Sequence, residues 1–258
     1  MRLMRFYSLT FLLLTLLPAP ASSQVEVGAA TPAAQSAAYY KSGMEQYVAN
    51  RYEEAAAAFE RAIGLTPDDA KAYHGLGSAK LDLGLYGEAA QALREAVRLD
   101  PLVVEAHREL GIAYYRSGQK LEAVEAFLRA LRLKPDYDKA HNDLGLVYVE
   151  LGRYKEAVES LKHAIRLNPQ LAEAYNNLGC GYYRAGRYRE AIDAYRQAVS
   201  VRPDYANARF NLGMAYLSRG EKGAALEQYA AIKTTDPAMA RRLFGDIYRN
   251  MLVDARGK

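Results

Sequence analysis

Small and large apolar residues recur along the chain with a fixed period of 34 residues. The prolines beyond residue 35 set this period, and they are Pro67, Pro101, Pro135, Pro169, Pro203 and Pro237. With proline at position 32, the repeats are 36–69, 70–103, 104–137, 138–171, 172–205 and 206–239. Position 8 is then always glycine, position 20 is always alanine, and position 27 is alanine in all but the last repeat. Small side chains in register let two helices approach closely, so the columns predict a repeated helix pair.

Residues that end helices divide each repeat in two. Position 15 is occupied by residues that accept a left-handed backbone just past a helix end, namely Asn50, Gly84, Gly118, Gly152, Gly186 and Gly220. The spacing predicts a helix A over about positions 1–14 and a helix B that ends near position 30, before the proline. Large residues at position 24 are expected to fill the space opposite the small ones; these are Phe59, Leu93, Phe127, Leu161, Tyr195 and Tyr229.

The residues at these positions resemble the pattern of the tetratricopeptide-repeat family, which is W-x2-L-G-x2-Y followed by A, F, A and P. This pattern recurs in phase from residue 36 to 239. The departures are small. Tyrosine, histidine or arginine replaces the tryptophan at position 4, and the sixth repeat is the most eroded, with Arg209, Lys222 and Ile232. The resemblance implies an all-α, right-handed superhelix, an α-solenoid. It also implies that helix A of each repeat lines a concave groove through positions 2, 5, 6, 9, 12 and 13.

The tail beyond the last repeat has the pattern of an amphipathic helix. Its apolar residues fall on one stripe, and they are Leu243, Phe244, Ile247, Tyr248, Met251 and Leu252. A solenoid needs its last apolar face covered, so residues 240–258 are predicted to be a capping helix and tail. An alternative is a helix that binds a partner or a membrane.

The first residues have the order of a secretory signal. Two positive charges, Arg2 and Arg5, precede a largely apolar stretch over 6–17 and the small-residue site Ala19-Pro20-Ala21. The sequence therefore predicts a signal peptide over 1–21, a flexible linker over 22–35, and export to the periplasm or beyond the cell. An uncleaved anchor is the alternative, although the apolar stretch is shorter than the roughly 20 residues that span a bilayer.

The groove positions supply the candidate binding residues. Tyrosine at position 12 alternates with aliphatic residues, and charges at positions 2 and 13 alternate in sign over the middle repeats. Duplication of a two-repeat unit explains the alternation, and a mixed-charge groove interleaved with tyrosines is the functional interpretation. Asparagines also cluster there and can hold a partner backbone by amide hydrogen bonds. The predicted partner-binding residues are Tyr115, Arg116, Asn142, Asn176, Asn177, Tyr183, Arg184, Asn207 and Asn211.

Some members of the family clamp a partner's C-terminal carboxylate with lysine and asparagine at positions 2 and 6. Asn177 and Asn211 match the two asparagines of that clamp. However, Glu173 stands where its first lysine belongs, and Asn207 is not basic. The sequence therefore gives only weak support to a carboxylate clamp.

The net charge and the reactive side chains of the sequence favour neither nucleic-acid binding nor catalysis. The net charge is +4, and removal of Arg2 and Arg5 with the signal leaves +2, too small an imbalance to indicate nucleic-acid binding. The single cysteine, Cys180, has no histidine at a fixed spacing and is interpreted as a small filler residue. His107 and His141 stack at position 4 without a third ligand, so they are interpreted as structural. We expect no catalytic residue, no metal and no cofactor.

The sequence therefore predicts a non-catalytic scaffold that binds a protein or peptide in its concave groove, without a membrane span after signal cleavage. Two alternatives stay open at this point. One is an accessory subunit of an envelope enzyme or assembly machine. The other is a homo-oligomer that self-assembles through the C-terminal helix.

Overall fold

The computed structural model describes the backbone of residues 31–256 and the side chains of residues 31–249. The predicted signal peptide and most of the predicted linker lie outside the described residues. Within 31–256 the chain forms thirteen α-helices. They are α1 (Pro32–Val48), α2 (Tyr52–Leu65), α3 (Ala70–Asp82), α4 (Tyr86–Leu99), α5 (Val104–Arg116), α6 (Lys120–Leu133), α7 (Asp138–Glu150), α8 (Tyr154–Leu167), α9 (Ala172–Arg184), α10 (Tyr188–Val201), α11 (Ala206–Ser218), α12 (Lys222–Ile232) and α13 (Pro237–Arg256).

The turn between the two helices of each pair has the predicted backbone. Residues at position 15 have a positive φ, from 57° at Asn50 to 86° at Gly118. The prediction of a left-handed residue at this point is confirmed for all six pairs. The residue two places later begins the second helix of the pair, as Tyr52 and Tyr86 illustrate.

The helices form a single curved stack. Each helix packs against the next, and each odd-numbered helix from α1 to α9 also contacts the following odd-numbered helix. Among the described residues, the even-numbered helices α2 to α12 do not contact one another. The odd-numbered helices are therefore closer together, and they form the inner, concave side of the curve.

The core is built from small residues at positions 8 and 20 of each repeat and large residues at position 24. The alanines at position 20 have no solvent exposure, and the large residues at position 24 are buried from Phe59 to Tyr195. The glycine at position 8 makes room for them: a Cβ on Gly111 would lie 2.7 Å from Cε1 of Phe127. Two helices can cross at this short distance only because one side contributes no side chain.

The sixth repeat departs from this scheme. Tyr229 at position 24 is only half-buried, contrary to the sequence expectation. Leu243 of α13 fills the space instead, since a Cβ on Gly213 would lie 2.7 Å from its Cδ2. Together with Ala240 and Ile247, which are also fully buried, Leu243 covers the end of the stack. The helix after the last repeat thus fills the space that the half-buried Tyr229 leaves open.

Two helix boundaries differ from the predicted ones. α1 begins at Pro32, four residues inside the predicted linker, because the Thr31 hydroxyl accepts the backbone N–H of Ala34 and proline suits a first helical position. α13 begins at Pro237 rather than at residue 240, because Asp236 caps it through the N–H of Met239 at 2.9 Å. In the last repeat the proline therefore opens a helix instead of following one.

Candidate partner-binding groove

The concave groove is the surface formed by positions 2, 5, 6, 9, 12 and 13 of the odd-numbered helices α1 to α11. Side chains at position 5 contact side chains at position 6 of the next repeat, 35 residues further along. We call this row of contacts the inner ladder. Its pairs are His74–Glu109 at 3.1 Å, Arg108–Asp143 at 2.7 Å, Asn142–Asn177 at 2.9 Å and Asn176–Asn211 at 2.9 Å.

The chemistry of the inner ladder changes along the groove. Its first two contacts involve carboxylates, and its last two join neutral amides. The carboxylate of Asp143 is 19% exposed and is held by the Nε of Arg108. Burial raises the pKa of Asp143, and the guanidinium opposes that rise. The inner ladder is therefore charged in its N-terminal half and neutral in its C-terminal half.

A second row, the tyrosine ladder, runs beside the first. The hydroxyl of each tyrosine at position 12 bonds position 13 of the next repeat, in the pairs Tyr47–Asp82 at 2.6 Å, Tyr115–Glu150 at 2.7 Å and Tyr183–Ser218 at 3.0 Å. Burial and the hydrogen bond to Glu150 raise the pKa of Tyr115 to about 12. Lys120 also contacts Glu150, at 2.9 Å, and helps to keep the pKa of that carboxyl low. The tyrosine ladder crosses only alternate junctions because tyrosine occupies only the odd repeats.

Two pockets open into the groove. The first has a volume of about 270 Å³ and is lined by Tyr47, Ser78, Leu81, Asp82, Tyr86, Arg108, Glu109, Ile112 and Arg116. The second has a volume of about 260 Å³ and is lined by Cys180, Tyr183, Arg184, Tyr195, Phe210, Asn211 and Met214. Each pocket lies where position 9 holds a small residue, Ser78 or Cys180, whereas Ile112 and Met214 occupy that position in neighbouring repeats. A short side chain on the inner face leaves the space that a partner side chain needs.

The structure brings most of the predicted binding residues into these rows. Tyr115 and Tyr183 belong to the tyrosine ladder, and Asn142, Asn177 and Asn211 to the inner ladder. Arg116 and Arg184 are exposed at the ends of α5 and α9, and Asn207 is exposed near the start of α11.

Asn176 differs from the other asparagines, because it is only 7% exposed and its oxygen accepts a bond from Asn211. It positions Asn211 instead of presenting its own amide to the groove. Sequence reasoning missed Asp82, Glu109, Phe210 and Met214 as pocket residues. All four stand at groove positions of their repeats. Their position within the repeat was therefore the only sequence feature that could have identified them.

The other polar groups have structural partners. His107 and His141 each donate from Nε2 to a proline carbonyl of the preceding repeat, at 2.9 Å in both cases. Glu173, at the place of the clamp lysine, pairs with Arg202 at 2.8 Å. Within the described part of the chain, no three side chains of the metal-binding types converge. Nor does any described helix combine the length and apolarity that crossing a bilayer requires.

The fold and the groove define an all-α helical-repeat solenoid of the tetratricopeptide class. The family model described as the cilia and flagella-associated protein 70 C-terminal domain matches residues 14–242, and the chain belongs to this tetratricopeptide-repeat family. None of the curated proteins compared with the chain matches it in sequence.

Solved structures with the same architecture agree with this assignment. The structure of MamA is 27% identical, with a TM-score of 0.61, and the match covers 67% of this chain and 94% of that one. PilW, described as a widely conserved type IV pilus biogenesis factor, is 21% identical, with a TM-score of 0.73 and coverage of 81% and 98%. YrrB, described as a TPR protein with an unusual peptide-binding site, is 24% identical, with a TM-score of 0.59 and coverage of 66% and 88%. PilW and YrrB share the fold with this chain.

Proposed function

We propose that this protein is an exported, non-catalytic scaffold that binds an extended segment of a partner protein in its concave groove. One observation carries the proposal: side-chain contacts of the two ladders link every one of the six repeats to the next along the groove. A surface that is already ordered loses less side-chain entropy when a partner binds, so more of the contact energy appears as affinity.

The residues of the groove suit a peptide backbone. An asparagine side chain can make up to four hydrogen bonds, and the ladder contact uses one donor of Asn177. Its remaining capacity fits the alternating N–H and C=O groups of an extended segment. The tyrosine rings add apolar area at a low entropic cost, which is typical of protein interfaces. The proposal of export, and of a place in the cell envelope, rests on the signal-like sequence of residues 1–21.

The experiment that tests this proposal is affinity capture from envelope extract with the exported chain and two matched variants. The groove variant carries Tyr115→Ala, Asn177→Ala, Arg184→Ala and Asn211→Ala. The control variant carries four substitutions of exposed residues on even-numbered helices: Arg94→Ala, Glu125→Ala, Lys162→Ala and Gln197→Ala. We expect the parent and the control variant to capture the same proteins and the groove variant to lose them.

Circular dichroism verifies that both variants keep their helices. If the folded groove variant captures the same proteins as the parent, the groove is not the binding site. Binding would then have to involve another surface, such as the α13 face that carries Phe244, 46% exposed, and Tyr248, 54% exposed. Light scattering of the chain alone tests whether that face joins two copies.

A further inference from the structure

The second pocket of the groove is apolar, unlike the first. Its floor contains Cys180 and the ring of Tyr195, which is 2% exposed and whose hydroxyl lies 3.4 Å from the Cys180 sulfur. Its walls include Phe210 and Met214, and no carboxylate belongs to the lining. By contrast, the first pocket has two carboxylates, Asp82 and Glu109. An apolar side chain can therefore be buried in the second pocket without removing a carboxylate from water.

One guanidinium group belongs to the lining of this pocket, and a second stacks on the ring of a lining residue. Arg184 is part of the lining, and it makes no hydrogen bond or ion pair with any described residue. Glu150 is close enough to Arg184 for their charges to interact, but its carboxylate is already bound by Lys120 and by Tyr115. Arg242 of α13 lies over the ring of Phe210, with its Cζ 5.3 Å from the ring centroid. The positive charge at this end of the groove is therefore available to a ligand.

An amide completes the site. Asn211 donates to the oxygen of Asn176 at 2.9 Å and lies 3.7 Å from the Cys180 sulfur, and both contacts use its nitrogen. Its side-chain oxygen can still accept a bond, and a backbone N–H of a bound segment is the natural donor. The pocket, the two cations and the acceptor together describe a ligand with one apolar side chain, a nearby negative charge and a peptide backbone.

We propose that the second pocket is the specificity site of the groove. It receives one apolar side chain of the partner segment, and a carboxylate next to that side chain binds Arg184 and Arg242. This inference rests on the proposed function and adds the chemistry of the partner to it. The first pocket lacks this preference, because its lining holds Asp82 and Glu109 beside Arg108 and Arg116 and therefore carries no net positive charge. The two pockets thus set the direction in which the partner segment lies.

The experiment selects linear peptides from a library of random 12-residue sequences displayed on phage, with the purified exported chain as bait. We expect the enriched peptides to place Phe, Met or Leu within two residues of Asp or Glu. Synthetic copies with acetylated and amidated ends are then titrated by fluorescence anisotropy. Arg184→Glu should weaken binding by about tenfold or more, because it replaces a charge-assisted contact with a repulsion. Cys180→Leu should weaken binding as strongly, because the longer side chain fills the pocket.

A charge swap and a matched control make the result specific. Arg189→Glu makes the same charge change at an exposed site on α10 and should leave affinity unchanged. A peptide whose acid is replaced by Lys should regain binding to the Arg184→Glu variant while it binds the parent poorly. Versions with a free and an amidated C-terminus decide the source of the carboxylate: a terminal carboxylate makes affinity depend on the free end, whereas an internal acid does not.

The outcomes separate this inference from the proposed function. A double variant with Tyr115→Ala and Asn177→Ala tests the rest of the groove. Peptides that still bind the Arg184→Glu and Cys180→Leu variants but no longer bind this double variant overturn the specificity site and leave groove binding intact. Peptides that bind every variant equally contradict both claims, and so does a library from which nothing is enriched.

Discussion

Replacement of Phe127 by alanine should destabilise the protein by about 3–5 kcal/mol, which is the usual cost of removing a fully buried aromatic ring. Phe127 is 1% exposed and fills the space that Gly111 leaves between α5 and α6. Neighbouring repeats hold both helices, so they cannot close around the cavity. Because the stability of a solenoid depends on contacts between adjacent repeats, damage in the third repeat should also uncouple the two ends. Urea unfolding followed by circular dichroism should therefore start earlier and become broader or biphasic.

Leu128 supplies the matched control for this prediction. It is the next residue on the same helix, but it is 37% exposed. Leu128→Ala should cost about 1 kcal/mol or less, because it removes little buried area and alanine favours helix. Equal losses from the two substitutions would show that position 24 does not carry the core.

Replacement of Arg108 by methionine should be the most damaging change within the inner ladder, with an expected cost of about 2–4 kcal/mol at pH 7. The substitution leaves the carboxylate of Asp143, 19% exposed, without its guanidinium partner at 2.7 Å. Asn142 lies 3.3 Å from the same carboxyl group and compensates only in part. Arg108 also lies near the ring of Tyr137, at 5.8 Å from the centroid, and methionine retains much of that apolar contact.

The pH dependence of this loss has a definite sign. Burial raises the pKa of Asp143 in the folded protein, and removal of the guanidinium raises it further. The folded state of the variant then binds a proton at a pH where the unfolded state does not. Its stability should therefore rise as the pH falls from 7 towards 5, and the difference from the parent should shrink.

The double variant Arg108→Met, Asp143→Leu provides the control, because it removes both charges. A buried ion pair can often be replaced by apolar residues at little cost, so this variant should recover most of the loss. Chemical denaturation of the three proteins at pH 7 and pH 5 measures all of these differences. A single variant as stable as the parent at both values would contradict the role assigned to the Arg108–Asp143 contact.

Much of the fold could be predicted from the sequence because each rule is repeated. The glycine at position 15 has to accept a positive φ, and its recurrence fixed the turn, as Gly118 with φ 86° illustrates. The errors fell at the ends, where the pattern occurs once. The start of α1 depends on the Thr31 cap, and Leu243 replaces Tyr229 only because α13 folds back on α11. The Thr31 cap is a local feature that occurs once, and the Leu243 contact joins two separate helices, so neither leaves a periodic signal.

The repeat positions that form the candidate groove could be predicted from the sequence, but the contacts between their side chains could not. Asn177 and Asn211 were expected to face a partner, and the structure joins them to Asn142 and Asn176 of the preceding repeats. That pairing depends on the rotation between repeats, which brings position 5 next to position 6 across 35 residues. The pockets likewise depend on whether position 9 is small in one repeat and large in its neighbours.

Site-specific photo-cross-linking tests groove binding most directly. A benzoyl-phenylalanine is placed at Arg116, in the groove, or at Arg129, on the outer helix α6; both positions are exposed, and they are only 13 residues apart. The chain is then irradiated in cells that produce its partner. Binding in the groove predicts a light-dependent adduct from position 116 and none from position 129. An adduct from position 129 alone would contradict the proposal and place the partner on the convex face.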